Sequence, residues 1–253
     1  MAHYNATALV LHRTDLGEND RILTLFTRER GKLGVVAKGS RKGTSRLSGA
    51  TELFMTMRLQ LAEARSLDII TQCEIVDTHN PLRLNLDLLA RATYLCELLD
   101  RTTEERDTLA SEELFDLTLT ALTLLARTTT YPDGVLHAYE LRLLEAIGYA
   151  PVLDHCVKTG EPLERRTVGF SPSLGGTVGA SERYQVQDAL PLSQESLHLM
   201  QTFANDEPER LLSLTPSPKA AAEVAKALRW YIRFRINRSL RSAEFLDQIR
   251  AAG

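Results

Sequence analysis

The sequence predicts an α+β protein: a small β-barrel at the front, then an all-helical domain with an irregular insertion. Three observations carry that expectation. Through residue 77 the apolar residues alternate or fall in short β-branched runs separated by turn formers. After Asn80–Pro81 the apolar spacing lengthens to that of a helix. Residues 152–185 are rich in Gly, Pro, Ser and Thr and keep little helical period. Strands first and helices afterwards argue for two packed units, 1–80 and 81–253, and against alternating βαβ architecture.

The strand segments are ALVLH (8–12), RILTLFT (21–27), LGVVAK (33–38), LFMTMRLQL (53–61) and DIITQCEIV (68–76). Asp15, Gly17, Asn19 and Asp20 mark one connection, and Glu29 to Lys32 a tight one. Gly39 to Gly49 is a longer basic loop. Five short strands in about 75 residues suit a small closed barrel, for which the OB-fold is the commonest architecture. Leu82, Leu86, Leu89, Thr93, Cys96 and Leu99 fall at helical spacing over 82–100, and a similar pattern covers 112–127. A third helix over 134–147 stops at Gly148 and Pro151. Short helices are expected over 193–204 and 207–214. A long last helix follows, with Ser217 as N-cap, Pro218 in the first turn and Val224, Leu228, Tyr231, Ile232 and Ile236 as its buried stripe.

Composition places the chain among globular proteins, at 43% hydrophobic and 25% charged residues. No apolar run reaches the roughly 18–20 residues that cross a bilayer. The start lacks the pattern of a signal peptide, and three scattered cysteines make no disulfide framework. A cytoplasmic location follows as the expectation. Charge is distributed unevenly. Residues 28–46 carry seven cations against Glu29, and 224–243 carry six cations and no acid, so each segment is +6. Against a net charge of −3 the remainder of the chain sums to −15. Positive charge gathered in two places on an acidic protein suits a polyanion such as nucleic acid.

Signals of bond chemistry are weak. Gly34 to Gly39 has the glycine spacing of a phosphate loop, but Ser40-Arg41 stands where Lys-Ser/Thr is required, and the segment reads as strand. His155–Cys156 has no second cysteine pair, so no metal is expected there. Asp15, Glu18 and Asp20 read as solvated loop acids and not as a nuclease metal site, and no hydrolase or dinucleotide motif occurs. Neither an enzyme nor a cofactor is expected. Tyr4, Phe26, Phe54, Trp230, Tyr231 and Phe234 read as core because rings bury large areas, so the cations carry the binding expectation. An alternative is a non-catalytic adaptor whose basic barrel docks acidic protein partners.

Several segments resemble the bacterial RecO family of recombination mediators. They are A-x-V-L-x-x-x-x-x-G-E-x-D-R-I-x-x-L-F-T (Ala8 to Thr27), R-G-K-L-G-V-V-A-K-G-S-R-K (Arg30 to Lys42), E-L-R-L-L-E-A-I-G-Y-A-P (Glu140 to Pro151), G-F-S-P-x-x-G-G (Gly169 to Gly176) and L-R-S-x-E-F-L (Leu240 to Leu246). The resemblance implies an N-terminal OB-fold, a helical domain, and a zinc-ribbon-like insertion at 152–185. Many family members carry two C-x₂-C pairs in that insertion. Here only Cys156 remains, with Thr159, Gly179 and Glu182 at the other three positions, so a degenerate element without structural metal is expected. The family further implies binding of single- and double-stranded DNA, strand annealing, and work with RecR and RecA on strands coated by single-stranded-DNA-binding protein, whose acidic tail it also binds. It also brings RecF into consideration as a partner. The expected phosphate contacts are Lys32, Lys38, Arg41, Lys42 and Arg46 on the barrel, and Arg229, Arg233 and Arg235 on the last helix.

Overall fold

The computed structural model describes residues 2–43, 47–164 and 166–252. Strands β1 (His3–Leu16), β2 (Asp20–Thr27), β3 (Gly31–Ala37), β4 (Thr56–Ala62) and β5 (Asp68–Asp77) close into a barrel in the order β1-β2-β3-β5-β4. All neighbours are antiparallel except β3 and β5, which pair in parallel through Val35↔Asp68 and Val36↔Ile69. This is the expected five-stranded OB-type barrel. Alternation fills it: in β3, Gly31, Leu33, Val35 and Ala37 are buried while Lys32, Gly34 and Val36 are partly exposed. Leu23, Leu25, Val10, Met57, Leu59 and Leu61 complete the core. Leu9 and Phe26 lie opposite each other on β1 and β2 and are buried as well, and the first long helix, Leu86–Thr102, packs against β1.

The fourth strand begins three residues later than its sequence pattern suggests. Phe54 adopts φ +67°, a left-handed conformation that turns the chain. Residues 54 and 55 instead hydrogen-bond Val10, where β1 is bulged.

Helices α1 (Asn80–Leu84), α2 (Leu86–Thr102) and α3 (Ser111–Arg127) follow. The single helix expected over 82–100 is thus two. Asn85 leaves helical geometry at φ −122° and caps α2 by accepting from the N–H groups of Asp87 and Leu88. After α4 (Pro132–Ala146) comes the insertion, where β6 (Val168–Ser171), β7 (Gly176–Val178) and β8 (Leu190–Leu192) form a sheet in the order β7-β6-β8. Next are α5 (Gln194–Asn205), a 3-10 turn over Pro208–Ser213, and α6 (Pro218–Ile236). Ser217 caps α6 as expected, accepting from Ala220 N–H. The basic stretch 224–243 is not one helix: Asn237, at φ +49°, ends α6, and α7 (Arg241–Ala252) follows.

Contacts divide the chain into two compact units, 1–126 with 240–253, and 127–239. In the first, α1–α3 and α7 join the barrel, and α7 packs on α2. The core of the second comes from α4, α5, α6 and the small sheet, with Leu136, Tyr139, Leu143, Phe170, Phe203, Leu228 and Tyr231 buried. Among the described residues no helix is long and apolar enough to cross a membrane.

Candidate nucleic-acid interface

The front basic cluster splits at the two ends of β3, roughly 20 Å apart at the rise of an extended strand. At the β2–β3 turn the cations are occupied. Arg28 pairs with Glu112 at 3.1 Å and with Asp116, over the Phe115 ring. Arg30 stacks on Tyr4, 3.8 Å from the ring centroid. Lys32 corrects a sequence expectation. Its ammonium donates to the carbonyls of Asp100 (2.6 Å) and Thr103 (2.7 Å) and lies 3.0 Å from Asp100 Oδ1. The side chain is only 16% exposed. An ammonium has three N–H groups; two are engaged on carbonyls at the C-terminal end of α2 and the third faces the Asp100 carboxylate. Lys32 therefore holds a helix to the barrel and presents no free charge to a ligand.

At the other end of β3 the turn over residues 38–43 is held by the β1–β2 connection. Asp20 accepts from Gly39 N–H at 2.7 Å, and Asn19 O from Arg41 N–H at 2.9 Å. Gly39 sits at φ +67°, where a side chain would be strained. Arg41 donates to Gly17 O at 2.8 Å and lies 3.4 Å from Asp15 Oδ2, so part of its charge is offset. Asp15 and Asp20 are thus structural supports of the loop. Lys38 and Lys42 are exposed, and no ion pair engages them among the described residues. Arg46 lies outside the described residues.

On α6, Arg233 is exposed and Arg229 half-buried. Arg235 is packed inward: its guanidinium lies 5.1 Å from the Tyr231 ring centroid and 5.5 Å from that of Phe234. A Cβ on Gly175 would stand 2.5 Å from Arg235 Nη2, so glycine there, at φ +86°, leaves this side chain its place against the β6–β7 turn. Among the described residues, Lys38, Arg41, Lys42 and Arg233 are accordingly the predicted contacts exposed to solvent, Arg41 with part of its charge offset by Asp15.

Of the rings read as core, Phe26, Phe54 and Tyr231 are buried, Tyr4 is half-buried, and Trp230 and Phe234 are exposed. The sequence signal for the last two was their position off the Val224–Leu228–Tyr231–Ile232 stripe.

The insertion keeps the arrangement of a metal ribbon without its donors. A Cβ on Gly179 would lie 3.8 Å from Cys156 Sγ and 2.2 Å from Glu182 Oε2, so three of the four ribbon positions still converge. Burial raises the Cys156 thiol pKa. Hydrogen bonds from the Thr159 hydroxyl and from the backbone N–H groups of Gly179, Lys158 and Thr159 outweigh it and bring the value below that of an ordinary thiol. One thiol, one hydroxyl and one carboxylate do not match a four-ligand zinc site. Among the described residues no group of three or more His, Cys, Asp or Glu could hold a metal. Restoring Thr159→Cys, Gly179→Cys and Glu182→Cys together is expected to bind one zinc per chain, measured by elemental analysis and a rise in melting temperature. A triple variant that stays metal-free would contradict the ribbon geometry. Burial pushes the Cys73 thiol up to about 11 and raises Cys96 as well, which disfavours the reactive thiolate at both.

Comparison with known proteins agrees with this architecture. The family model "Recombination protein O N terminal" matches residues 1–79, and "Recombination protein O C terminal" matches residues 83–244. The DNA repair protein RecO of Symbiobacterium thermophilum is 38% identical over 254 residues, spanning 100% of both chains. That of Roseiflexus sp. is 37% identical, over 98% of this chain and 86% of its own. That of Heliobacterium modesticaldum is 35% identical, over 98% of this chain and 91% of its own. Matches to both family models, together with full-length identity above 30% and the closed barrel, establish that this chain belongs to the RecO family of DNA repair and recombination proteins.

Proposed function

We propose that this protein is a non-catalytic DNA-binding mediator of recombinational repair. It binds single- and double-stranded DNA and anneals complementary strands. With RecR, it helps RecA load onto single strands coated by single-stranded-DNA-binding protein, whose acidic tail it also engages. The observation that carries the reading is the cationic turn after β3, where Lys38 and Lys42 stand exposed on a loop braced by Asp20 and Asn19. These ammonium groups would neutralise phosphates and displace the condensed counterions into solution, which supplies affinity without sequence preference. Arg233 on α6 offers a second cationic contact. Bridging two strands lowers their mutual repulsion and raises the effective concentration of one near the other, so annealing needs no bond chemistry.

Mixing complementary labelled oligonucleotides with the protein tests this directly. Annealing should accelerate at low salt and fall back toward the spontaneous rate as salt is raised. Absence of acceleration at every salt concentration would contradict the proposal.

A further inference from the structure

The last turns of α6 expose two large rings to water. Trp230 is 54% and Phe234 52% exposed, while the buried stripe of the helix runs through Val224, Ala227, Leu228, Tyr231 and Ile232. Four residues apart on a helix, the two rings are neighbours on one face. They line a groove of ≈ 570 Å³ together with Pro172, Leu174 and Val186 from the insertion. Leaving such apolar surface open to water is unfavourable and marks a contact site for a ligand.

The groove's charge says which ligand. Lys158 lines it, Arg233 is exposed on the same turn of α6, and Arg235 lies 5.5 Å from the Phe234 ring centroid. The acid among the lining residues, Asp188, accepts from Ser171 Oγ at 2.6 Å and Ser173 N–H at 2.8 Å and keeps its negative charge. Lys158 keeps its positive one while donating to Gln185 Oε1 at 2.8 Å, so the three cations outnumber the one acid. Flat apolar rings beside cations match a ligand with flat faces and a negatively charged chain. Unpaired nucleotides have both, whereas a duplex hides its base faces in its own stack.

We propose that this groove is a stacking platform for single-stranded DNA, with bases against Trp230 and Phe234 and phosphates near Lys158 and Arg233. The proposal rests on the DNA-binding reading above and adds to it a preference for unpaired strands. Phosphate contacts alone do not create that preference, because both DNA forms carry them.

Trp230 is the only tryptophan of the chain, so its fluorescence reports on this groove alone. Titrating the full protein with oligothymidylate should quench that emission saturably. The Trp230→Ala/Phe234→Ala variant, followed by anisotropy of labelled DNA, should bind oligothymidylate about ten- to a hundredfold more weakly, the loss of one or two stacked bases. Its affinity for a hairpin duplex and its salt slope should stay those of wild type, since no phosphate contact is removed. Both residues are exposed, so an unchanged melting temperature and circular dichroism spectrum are expected. Wild-type oligothymidylate affinity in the variant, with DNA binding intact, overturns the platform and leaves the DNA-binding reading standing. An equal loss on single strand and duplex overturns it too. So does quenching by an acidic Asp- and Phe-containing peptide but not by DNA, which would make the groove a peptide site. Failure of the wild-type protein to bind any DNA overturns both readings.

Discussion

Asp68→Ala is expected to destabilise the barrel unit by about 3 kcal/mol, because a buried carboxylate and three donors lose one another. Asp68 opens β5 and is fully buried. It accepts from the Tyr4 hydroxyl on β1 (2.5 Å), from Ala64 N–H (2.9 Å) and from Arg106 Nη2 (3.0 Å). It thereby joins the strand that starts the barrel, the β4–β5 turn and the segment after α2. For a chain of this size, 3 kcal/mol corresponds to a drop on the order of 10 °C in melting temperature. Asp68→Asn keeps the shape and one acceptor and should lose less.

The same cluster sets a pH window. Burial alone would raise the Asp68 carboxyl, but hydrogen bonds from Tyr4 and Ala64 and the Arg106 guanidinium outweigh it and hold the carboxyl below the usual carboxylate range. A depressed folded value means the contribution is present above the unfolded pKa of about 4. It is lost as pH falls through the folded value. Tyr4 shifts the other way: burial, then the bond to Asp68, raise its phenol. Its contribution is present below about pH 10 and is lost as pH rises further. Urea denaturation across pH should show both limbs in wild type, no alkaline limb from this site in Tyr4→Phe, and a flatter acid limb in Asp68→Asn. A wild-type profile in both variants would contradict the assignment.

Glu97→Ala is expected to free α7 from α2 at a loss of about 2–3 kcal/mol, the range of charge-assisted hydrogen bonds to unsatisfied helix-end donors. Glu97 Oε1 accepts from Arg241 N–H at 3.2 Å, and Oε2 from Ser242 N–H at 2.8 Å and its hydroxyl at 2.5 Å. A carboxylate at the first turn of α7 also meets the positive end of the helix dipole. Behind it, α7 buries Ala243 and Leu246. Hydrogen exchange over 241–252 should quicken markedly in Glu97→Ala and partly in Glu97→Gln, which keeps one acceptor. Unchanged protection would show that apolar packing alone seats the helix.

The barrel was legible because its alternation is local: each strand announces its inward face, and the turn residues between strands are conspicuous. The stop of α4 at Gly148 and the start of α6 at Ser217 were legible for the same reason. What escaped depends on particular hydrogen bonds, some of them to partners far along the chain. The break at Asn85 hides inside a continuous apolar pattern and shows only through the cap it makes. The separate helix α7 is held by Glu97, 144 residues away from Arg241. The charge count singled out this segment of the barrel but could not see that Lys32 meets carbonyls of α2 while no ion pair engages Lys38 and Lys42 among the described residues. Composition assigned Trp230 and Phe234 to the core, although their place off the apolar stripe already pointed outward.

The central claim is that the turn after β3 grips phosphates through Lys38 and Lys42. The dependence of single-strand affinity on salt tests it most directly. In Lys38→Ala/Lys42→Ala the slope of log K against log salt should fall by about 1.4, near 0.7 for each lost contact, with the melting temperature unchanged. Lys32→Ala should lower the melting temperature and leave the slope as in wild type. A double variant with the wild-type slope and affinity, or a Lys32→Ala variant that alone reduces the slope, would contradict the account.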